Sequence, residues 1–183
     1  RPYEVNQGET DAMIDTWSHK LVSGFENGKG MNRKQMRTLF AQICDDFASI
    51  PVQGEPKIRV GVVGEIYVKF APLGNNNLEQ FLLSEGAEPV VPGLTDFIIF
   101  KINNREVDVD LYGGKWGKKK VCQIFEDYVK KCQRAMIEAM SAGGFRAPGT
   151  FDDLRNLIHG YLGEGNKMGE GWLLTAEMLE LIH

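Results

Sequence analysis

The chain has 183 residues, of which 43% are apolar and 25% are charged, and its formal net charge is −4. This composition is typical of one soluble globular domain. The acidic balance argues against a general nucleic-acid or anionic-membrane binder, because such proteins rely on clustered positive charge. We also expect no membrane span, since no apolar run approaches the ~20 residues that cross a bilayer.

The chain contains three cysteines, Cys44, Cys122 and Cys132. Their odd number and wide spacing argue against a disulfide framework and against a zinc site. We interpret them as small apolar side chains and expect a reducing, cytoplasmic location. The chain begins with Arg1 and stops directly after an apolar-periodic stretch, and from this we expect it to be a piece of a longer polypeptide, cut short at its C-terminal end.

Two helices are predicted near the N-terminal end. In residues 9–28, apolar side chains recur at three- and four-residue steps, which is the pattern of a helix with one buried face. A second helix is predicted from Asn32, a favourable N-cap residue, to Ser49, and Pro51 prevents its continuation. We interpret residues 1–55 as a helical extension of the domain that follows.

The next segment has the pattern of a strand, a helix and a second strand. Residues 57–64 form a β-branched run, residues 88–92 form a shorter one, and a helix is predicted between them over 78–84. Strands joined in this way pair in parallel. We therefore expect residues 56–183 to form an α/β domain with a three-layer architecture and an open, mostly parallel sheet.

Residues 94–112 allow two interpretations. Apolar and charged residues alternate in the second half of this segment, which favours a strand, and Asn103-Asn104 would then form a hairpin turn. The alternative is a single helix capped at Thr95 or Asp96. The pattern alone does not decide between them, because the first half of the segment is apolar without a clear period.

The rest of the chain is predicted to be helical apart from one glycine-rich loop. A long amphipathic helix is predicted over 118–142, with an apolar stripe formed by Val121, Ile124, Phe125, Tyr128, Cys132, Ala135, Met136 and Ala139. Shorter helices are predicted at 152–161 and 172–182. The loop at 160–171 contains five glycines but lacks the Lys-Ser/Thr ending of a P-loop, so we interpret it as a mobile connection or a lid that faces a partner.

Two short segments are candidate ligand contacts. Gly64 and Glu65 follow the first predicted strand, and ligands of open α/β sheets bind outside the carboxyl ends of the strands. Asn75, Asn76 and Asn77 precede a predicted helix, where amides and free backbone N–H groups can hold an anion. Both segments also have a purely structural interpretation, as a turn and as a helix cap.

Several of these segments resemble one protein family. The stretch KIRVGVVGEIYVKF, the stretches LGNNNLE and LSEGAEPVVP that follow it within 57–97, and the later GEGWLL at 169–174 are similar to the C-terminal, dehydratase-like region of large CoA-substrate-specific enzyme activases. These belong with the 2-hydroxyacyl-CoA dehydratase activases. The opening RPYEVNQGET looks like the same region, so the resemblance spans nearly the whole chain.

The resemblance implies a supporting role for this chain in a larger protein. Such proteins use ATP hydrolysis in separate domains to drive an electron to very low potential through an iron–sulfur cluster, and their name implies a CoA-thioester substrate. The chain would be a non-catalytic scaffold that holds no cofactor itself and contacts other domains of the same polypeptide. The crevice that faces the cluster would be lined by Gly64, Glu65, Asn75, Asn76, Asn77, Gly171 and Trp172. The resemblance also favours a helix at 94–112.

The alternative is a binding module. It would hold CoA or another phosphate-bearing ligand in the strand-end crevice, or it would dock a partner protein. A pocket with converging backbone N–H groups would favour the first version.

Overall fold

The computed structural model describes residues 1–30 and 32–182. The regular elements of this part of the chain are, in order, α1 (Glu9–Glu26), α2 (Arg33–Ala48), β1 (Arg59–Gly61), α3 (Ile66–Phe70), α4 (Pro72–Asn75), α5 (Leu78–Ser84), β2 (Glu88–Val90), α6 (Leu94–Tyr112), α7 (Trp116–Ala142), α8 (Phe151–Ile158) and α9 (Gly171–Ile182). A 3₁₀ turn at Met168–Glu170 directly precedes α9. Helices make up 66% of the chain and strands 4%.

The expectation of a three-layer α/β domain with an open parallel sheet is wrong. The chain is mainly helical, and in its described part β1 and β2 form a sheet of two strands. The two strands are parallel, with Arg59 opposite Glu88 and Gly61 opposite Val90. The ladder extends slightly, since the Val62 N–H donates to the Val90 carbonyl oxygen at 2.8 Å. The predicted strand, helix and strand are therefore present, but no further strand of the described residues joins them.

The small size of the sheet has a physical reason. A strand at the centre of an α/β sheet is covered on both faces, whereas Ile58 is 80% exposed and Arg59 and Gly61 are also exposed. Residues 94–112, for which a strand and a helix were both open, form helix α6, the interpretation that the resemblance favoured, so this segment adds no third strand. An isolated pair of strands is only marginally stable. The apolar residues of the chain therefore pack mainly between helices.

Most of the predicted helices are confirmed. Those at α1, α2, α5, α7, α8 and α9 differ from the predicted bounds by at most three residues at either end. Asn32 caps α2 as expected, since its Oδ1 accepts the Gln35 N–H at 3.0 Å. Helices α3 and α4, with five and four residues, escape prediction because such short helices show no hydrophobic period.

The chain divides into two compact units. The first contains Arg1–Ile58 and Arg134–Pro148, and the second contains Arg59–Gln133 and the residues from Gly149 onward. The sequence-based boundary between residues 55 and 56 lies near the end of the first of these ranges. The end of α7 belongs to the first unit although it is distant in sequence from α1 and α2.

The first unit contains the helices α1 and α2. Trp17 of α1 is 3% exposed, and its Nε1–H donates to Asp46 Oδ2 of α2 at 3.0 Å. Glu4 satisfies two backbone N–H groups at the start of α1, because its carboxylate accepts those of Gly8 and Thr10 at 2.7 and 2.8 Å. A hydrogen bond with the Thr10 side chain is the largest cause, followed by these two backbone hydrogen bonds, of the lowering of the pKa of Glu4 to about 2.

The core of the second unit lies between α6, α8 and α9. The ring of Trp172, at the start of α9, is fully buried and lies 5.3 Å from the ring of Phe100 and 5.5 Å from that of Phe151. Further apolar side chains surround these rings, namely Ile99, Leu154, Ile158, Leu173 and Ala176. Helix α8 begins with a capping box, in which Thr150 Oγ1 accepts the Asp153 N–H and the Asp153 carboxylate accepts the Thr150 N–H.

The apolar stripe predicted for α7 is exposed in its first half. Val121, Ile124 and Phe125 are 67%, 72% and 56% exposed. The helix instead buries two polar residues, Glu126 and Gln133. Within the described residues, no helix, α7 included, is both long and apolar enough to cross a membrane.

We expect Thr150→Ala to lower the free energy of unfolding of the second unit by about 1 kcal/mol, because α8 loses its capping box. The matched control is Ser84→Ala at the exposed end of α5, where Ser84 Oγ donates to the Phe81 carbonyl oxygen and alanine is the better helix former. Urea titration followed by circular dichroism measures both. Equal destabilisation by the two substitutions would contradict the role of the capping box.

Candidate functional site

A buried ion pair joins α3 to α9 in the second unit. Lys69 Nζ lies 2.6 Å and 2.9 Å from the two carboxylate oxygens of Glu177. The side chain of Lys69 is 1% exposed and that of Glu177 is 0% exposed. Because desolvation costs several kcal/mol per ion, such a pair persists only with good geometry. Burial raises the pKa of Glu177, while the Lys69 ammonium opposes this change.

A second buried carboxyl group lies close to this pair. Asp96, in the first turn of α6, is 5% exposed, and its Oδ1 accepts a hydrogen bond from Gln133 Nε2 at 2.6 Å. Gln133 Oε1 accepts the Phe151 N–H at 3.1 Å, so one amide side chain joins α6, α7 and α8. Burial raises the pKa of Asp96 to about 7, the Gln133 hydrogen bond opposes this, and the charges of Glu180 and Glu177 add to it.

A third buried acid joins two distant segments. Glu170 is 6% exposed, and its Oε1 accepts the Ile66 N–H at 3.0 Å across 104 residues of sequence. Ile66 is the first residue of α3, so Glu170 satisfies one of the backbone N–H groups that a helix start leaves free. Glu170 Oε2 and Trp172 Nε1 are buried without a hydrogen-bond partner in the described part of the chain.

A cleft of about 490 Å³ lies in the same unit. It is lined by Val62, Lys69, Phe70, Pro72, Asn75, Asn77, Glu79, Gln80, Pro89 and Val91. Asn75 is engaged at both ends of its amide, since Nδ2 donates to the Val68 carbonyl oxygen at 2.9 Å and Oδ1 accepts the Leu78 N–H at 3.2 Å. Asn76 and Asn77 both have φ of 55°, the left-handed conformation that asparagine tolerates better than most residues. The three asparagines therefore form a turn that shapes one side of the cleft.

The Glu170 hydrogen bond brings two predicted site segments together. Gly64 and the exposed Glu65 directly precede α3, and Gly171 directly follows Glu170. The hydrogen bond from Ile66 to Glu170 therefore places these two segments side by side. The asparagine turn follows α3 and α4 and lines the cleft together with Lys69.

Gly171 and Trp172 contribute to the packing around the start of α9. A Cβ at Gly171 would lie 2.6 Å from the Asn166 carbonyl oxygen, so this close approach requires glycine. The Trp172 N–H donates to the same oxygen at 2.8 Å. The Trp172 ring is fully buried in the core, so it lies behind the surface and does not line the cleft.

Sequence reasoning missed the buried charges Lys69, Asp96 and Glu177 and the amide of Gln133. A signal exists for Glu177, because it lies in the largely apolar run WLLTAEMLELI, and an acid on a buried helix needs a partner. Nothing local identifies Lys69 as that partner, since the two residues are 108 positions apart.

Lys69, Glu177 and Asp96 together can hold charges and a proton in fixed positions beside the cleft that Lys69 lines. Burial raises the pKa of Asp96 to about 7, so its carboxyl can exchange a proton near neutral pH. Among the described residues, no group of three or more His, Cys, Asp or Glu side chains is arranged to hold a metal ion. No family model matches the chain, and neither a curated protein nor a solved structure is significantly similar to it.

We expect Lys69→Met to lower the free energy of unfolding by about 3–5 kcal/mol, because the Glu177 carboxylate remains buried without its cation. The double variant Lys69→Met/Glu177→Leu should recover most of this loss, since no buried charge remains. Lys118→Met, on the exposed start of α7, is the control and should change the free energy by less than about 0.5 kcal/mol. Denaturant titration measures all three, and a double variant as unstable as the single one would contradict this explanation.

We expect the stability of the protein to fall between about pH 4 and pH 7 through Asp96, whose pKa rises from 3.8 to about 7 on folding. Below pH 3.8, the pKa of the unfolded state, Asp96 is protonated in both the folded and the unfolded protein, and its contribution to stability is complete. As the pH rises toward the folded pKa, up to about 4 kcal/mol is lost, because only the unfolded state releases its proton.

Asp96→Asn keeps an oxygen for Gln133 and should therefore flatten this part of the pH profile. Asp127→Asn, at an exposed position of α7, should leave the profile unchanged. Thermal unfolding across the pH range measures both variants. If Asp96→Asn retains the slope of the parent protein, the pH dependence arises elsewhere.

Proposed function

We propose that this chain is the non-catalytic scaffold part of a dehydratase-like unit in a CoA-substrate-specific enzyme activase. In this proposal the chain carries no cofactor itself, and other domains of the same polypeptide supply the iron–sulfur cluster and the ATP hydrolysis. The task of the chain is to hold the segments that face the cluster in one fixed arrangement.

The observation that carries the proposal is the 3.0 Å hydrogen bond between Glu170 Oε1 and the Ile66 N–H. Its two ends lie in segments that resemble the family, GEIYVKF at 64–70 and GEGWLL at 169–174. Functional residues are commonly presented on loops that a rigid scaffold positions. Two distant segments that share a resemblance and also contact each other are therefore expected to serve one site.

The buried ion pair supports the same role. Lys69 and Glu177 lie in the two helices, α3 and α9, that these segments begin, so the pair gives the segments a second connection. A buried ion pair contributes little net stability compared with apolar side chains of the same size, but it tolerates few alternative arrangements. This property suits a scaffold, for which a fixed position matters more than maximal stability.

A second candidate function is binding of a small phosphate-bearing ligand such as CoA, and the cleft of about 490 Å³ favours it, since ligand pockets are commonly of this size. The lining is less favourable to an anion. The Lys69 ammonium is occupied by Glu177, the Asn75 amide is occupied by backbone groups, and Glu79 adds a negative charge. We therefore prefer the scaffold.

The test is anaerobic iron–sulfide reconstitution of this chain and of the product of its complete gene, followed by visible absorption and electron paramagnetic resonance. We expect a cluster in the complete product and no stoichiometric cluster in this chain alone. A stoichiometric cluster in this chain would contradict the scaffold role and would make Cys44, Cys122 and Cys132 candidate ligands. If neither protein takes up a cluster and calorimetry detects CoA binding, the second candidate function is correct instead.

A variant of the complete gene product makes the test specific to the Glu170 contact. Glu170→Ala removes the acceptor of the Ile66 N–H and should lower the iron content per protein molecule. Glu85→Ala, at the exposed end of α5, is the control and should leave the iron content unchanged. Equal iron content in both variants would show that the Glu170 contact does not support the cluster.

A further inference from the structure

The exposed side of α7 carries a row of large apolar side chains in the second unit, which we call the α7 stripe. It consists of Val121, Ile124, Phe125 and Tyr128, which are 67%, 72%, 56% and 42% exposed. Their spacing of three and four residues places them on one face of the helix over two turns. The buried residues Glu126 and Gln133 lie on the opposite face. Helix α7 therefore packs its polar side inward and presents the stripe to solvent.

The size and spacing of the α7 stripe are those of an interaction site. At the measured exposures the four side chains present roughly 400 Å² of contiguous surface, and apolar patches of this size on soluble proteins are often functional. The four positions are i, i+3, i+4 and i+7, which are the anchor positions by which one helix face packs against another helix. The stripe therefore has the form of one half of a helix–helix contact.

Lysines border the α7 stripe on both sides. With about 100° of rotation per residue, Lys118 lies along one edge and Lys120 and Lys131 lie along the other. In the part of the chain that the structure describes, none of these three ammonium groups forms a salt bridge. Lys120 Nζ lies 5.4 Å from the centre of the exposed Trp116 ring. Asp127 is exposed on the same side as Lys120, so the edges retain an excess of positive charge.

We propose that the α7 stripe docks an amphipathic helix of a separate partner protein, whose own apolar stripe is bordered by aspartate or glutamate. The apolar side chains supply the burial, and the unpaired lysines select acidic neighbours. This site uses neither the cleft nor the Glu170 contact, so it goes beyond the proposed scaffold role and does not depend on it.

The charges favour this occupant over a second copy of the chain. In an antiparallel pair centred on the stripe, Lys118 of one copy would lie opposite Lys131 of the other, and in a parallel pair each lysine would approach its own counterpart. Like charges brought together in this way oppose association. A partner with acidic edges meets no such repulsion.

The charges also favour a protein over an anionic membrane. The net charge of the chain is −4, and the exposed Asp127 beside the stripe would approach the lipid phosphates. A partner helix can place its acids opposite the lysines alone. Unpaired lysines around a small apolar patch accelerate the encounter of two diffusing molecules, and a domain of the same polypeptide would not need this acceleration.

The small area predicts a weak association. A helix packed on the stripe would bury roughly 400 Å² per partner, compared with about 800 Å² in a standard interface, and transient complexes lie at this lower end. We therefore expect a dissociation constant of about 10–100 μM.

The test is titration of the whole chain into two labelled synthetic peptides of about 20 residues, followed by fluorescence anisotropy. Both peptides carry leucine at the a and d positions of successive heptads. One has glutamate at every e and g position and the other has lysine there, which prevents either peptide from pairing with itself. We expect the glutamate peptide to bind saturably, and to bind at least about threefold more weakly when NaCl is raised from about 50 to about 500 mM. The lysine peptide should bind at least about tenfold more weakly than the glutamate peptide. No saturable binding of the glutamate peptide at up to about 0.5 mM protein would overturn the proposal.

Matched variants test whether the peptide binds at the stripe. Phe125→Ser should weaken binding of the glutamate peptide at least about tenfold. Phe81→Ser is the control, because Phe81 is the same residue type at almost the same exposure, 57%, on α5, and its affinity should change less than about twofold. Circular dichroism verifies that each variant is folded, and Ile124→Ser replaces Phe125→Ser if the latter is not. Equal losses in the stripe variant and the control would overturn the site.

A charge reversal tests the lysine borders. Lys120→Glu should weaken binding of the glutamate peptide at least about threefold and strengthen binding of the lysine peptide. Lys34→Glu makes the same change at an exposed position of α2 and should affect neither peptide. If both reversals act equally, the attraction arises from the net charge of the chain and the proposal fails.

Three further outcomes would identify a different occupant and overturn the proposal. A dimer in sedimentation of the chain alone that Phe125→Ser abolishes would assign the stripe to a second copy. Binding to vesicles of phosphatidylserine and phosphatidylcholine, without binding of the glutamate peptide, would assign it to a membrane. Binding of the glutamate peptide to this chain but not to the complete gene product would show that the same polypeptide covers the stripe. We expect equal affinity for both.

Discussion

The ion pair between Lys69 and Glu177 is the contact that most constrains the second unit. Both side chains are almost completely removed from water, and each charge would cost several kcal/mol if it were left alone. The pair therefore disfavours any compact arrangement in which one of the two charges stays buried without the other. Glu170 adds a second connection between the same helices, because it accepts the Ile66 N–H at the start of α3. A five-residue helix that would not be stable by itself is held in this way.

The helical core depends on the same combination of apolar packing and polar connection. Trp172 packs against Phe100 and Phe151, and the amide of Gln133 links Asp96 to the start of α8. Apolar contacts supply most of the free energy of burial but are tolerant of small shifts. The hydrogen bonds are directional, so they select one arrangement of α6, α7 and α8. The buried carboxyl of Asp96 stays protonated up to about neutral pH as a result of its burial.

The proposed scaffold role is consistent with this distribution of charge. The buried charges lie between elements and connect them, and the segments that resemble the activase family begin the two helices that the ion pair joins.

The sequence by itself determined most of the helices and the parallel pairing of the two short strands. Helices such as α1, α2 and α5 are predictable because a helix satisfies its own backbone hydrogen bonds and shows a period of 3.6 residues. The sequence also identified the Gly64-Glu65 segment, the asparagine turn and Gly171 as candidate site residues. Residues 94–112 remained ambiguous because their apolar half has no clear period.

Only the tertiary structure decided the fold class, which residues of α7 are buried and which charged side chains are buried together. A strand needs partners to complete its hydrogen bonds, and those partners depend on the rest of the chain. In the described residues no third strand joins β1 and β2, so the larger parallel sheet that we expected is not formed. An apolar stripe is buried only where another element covers it, which explains the exposed Ile124 of α7. Lys69 and Glu177 are 108 residues apart, and no local pattern can pair two charges whose attraction becomes strong only after both have left water.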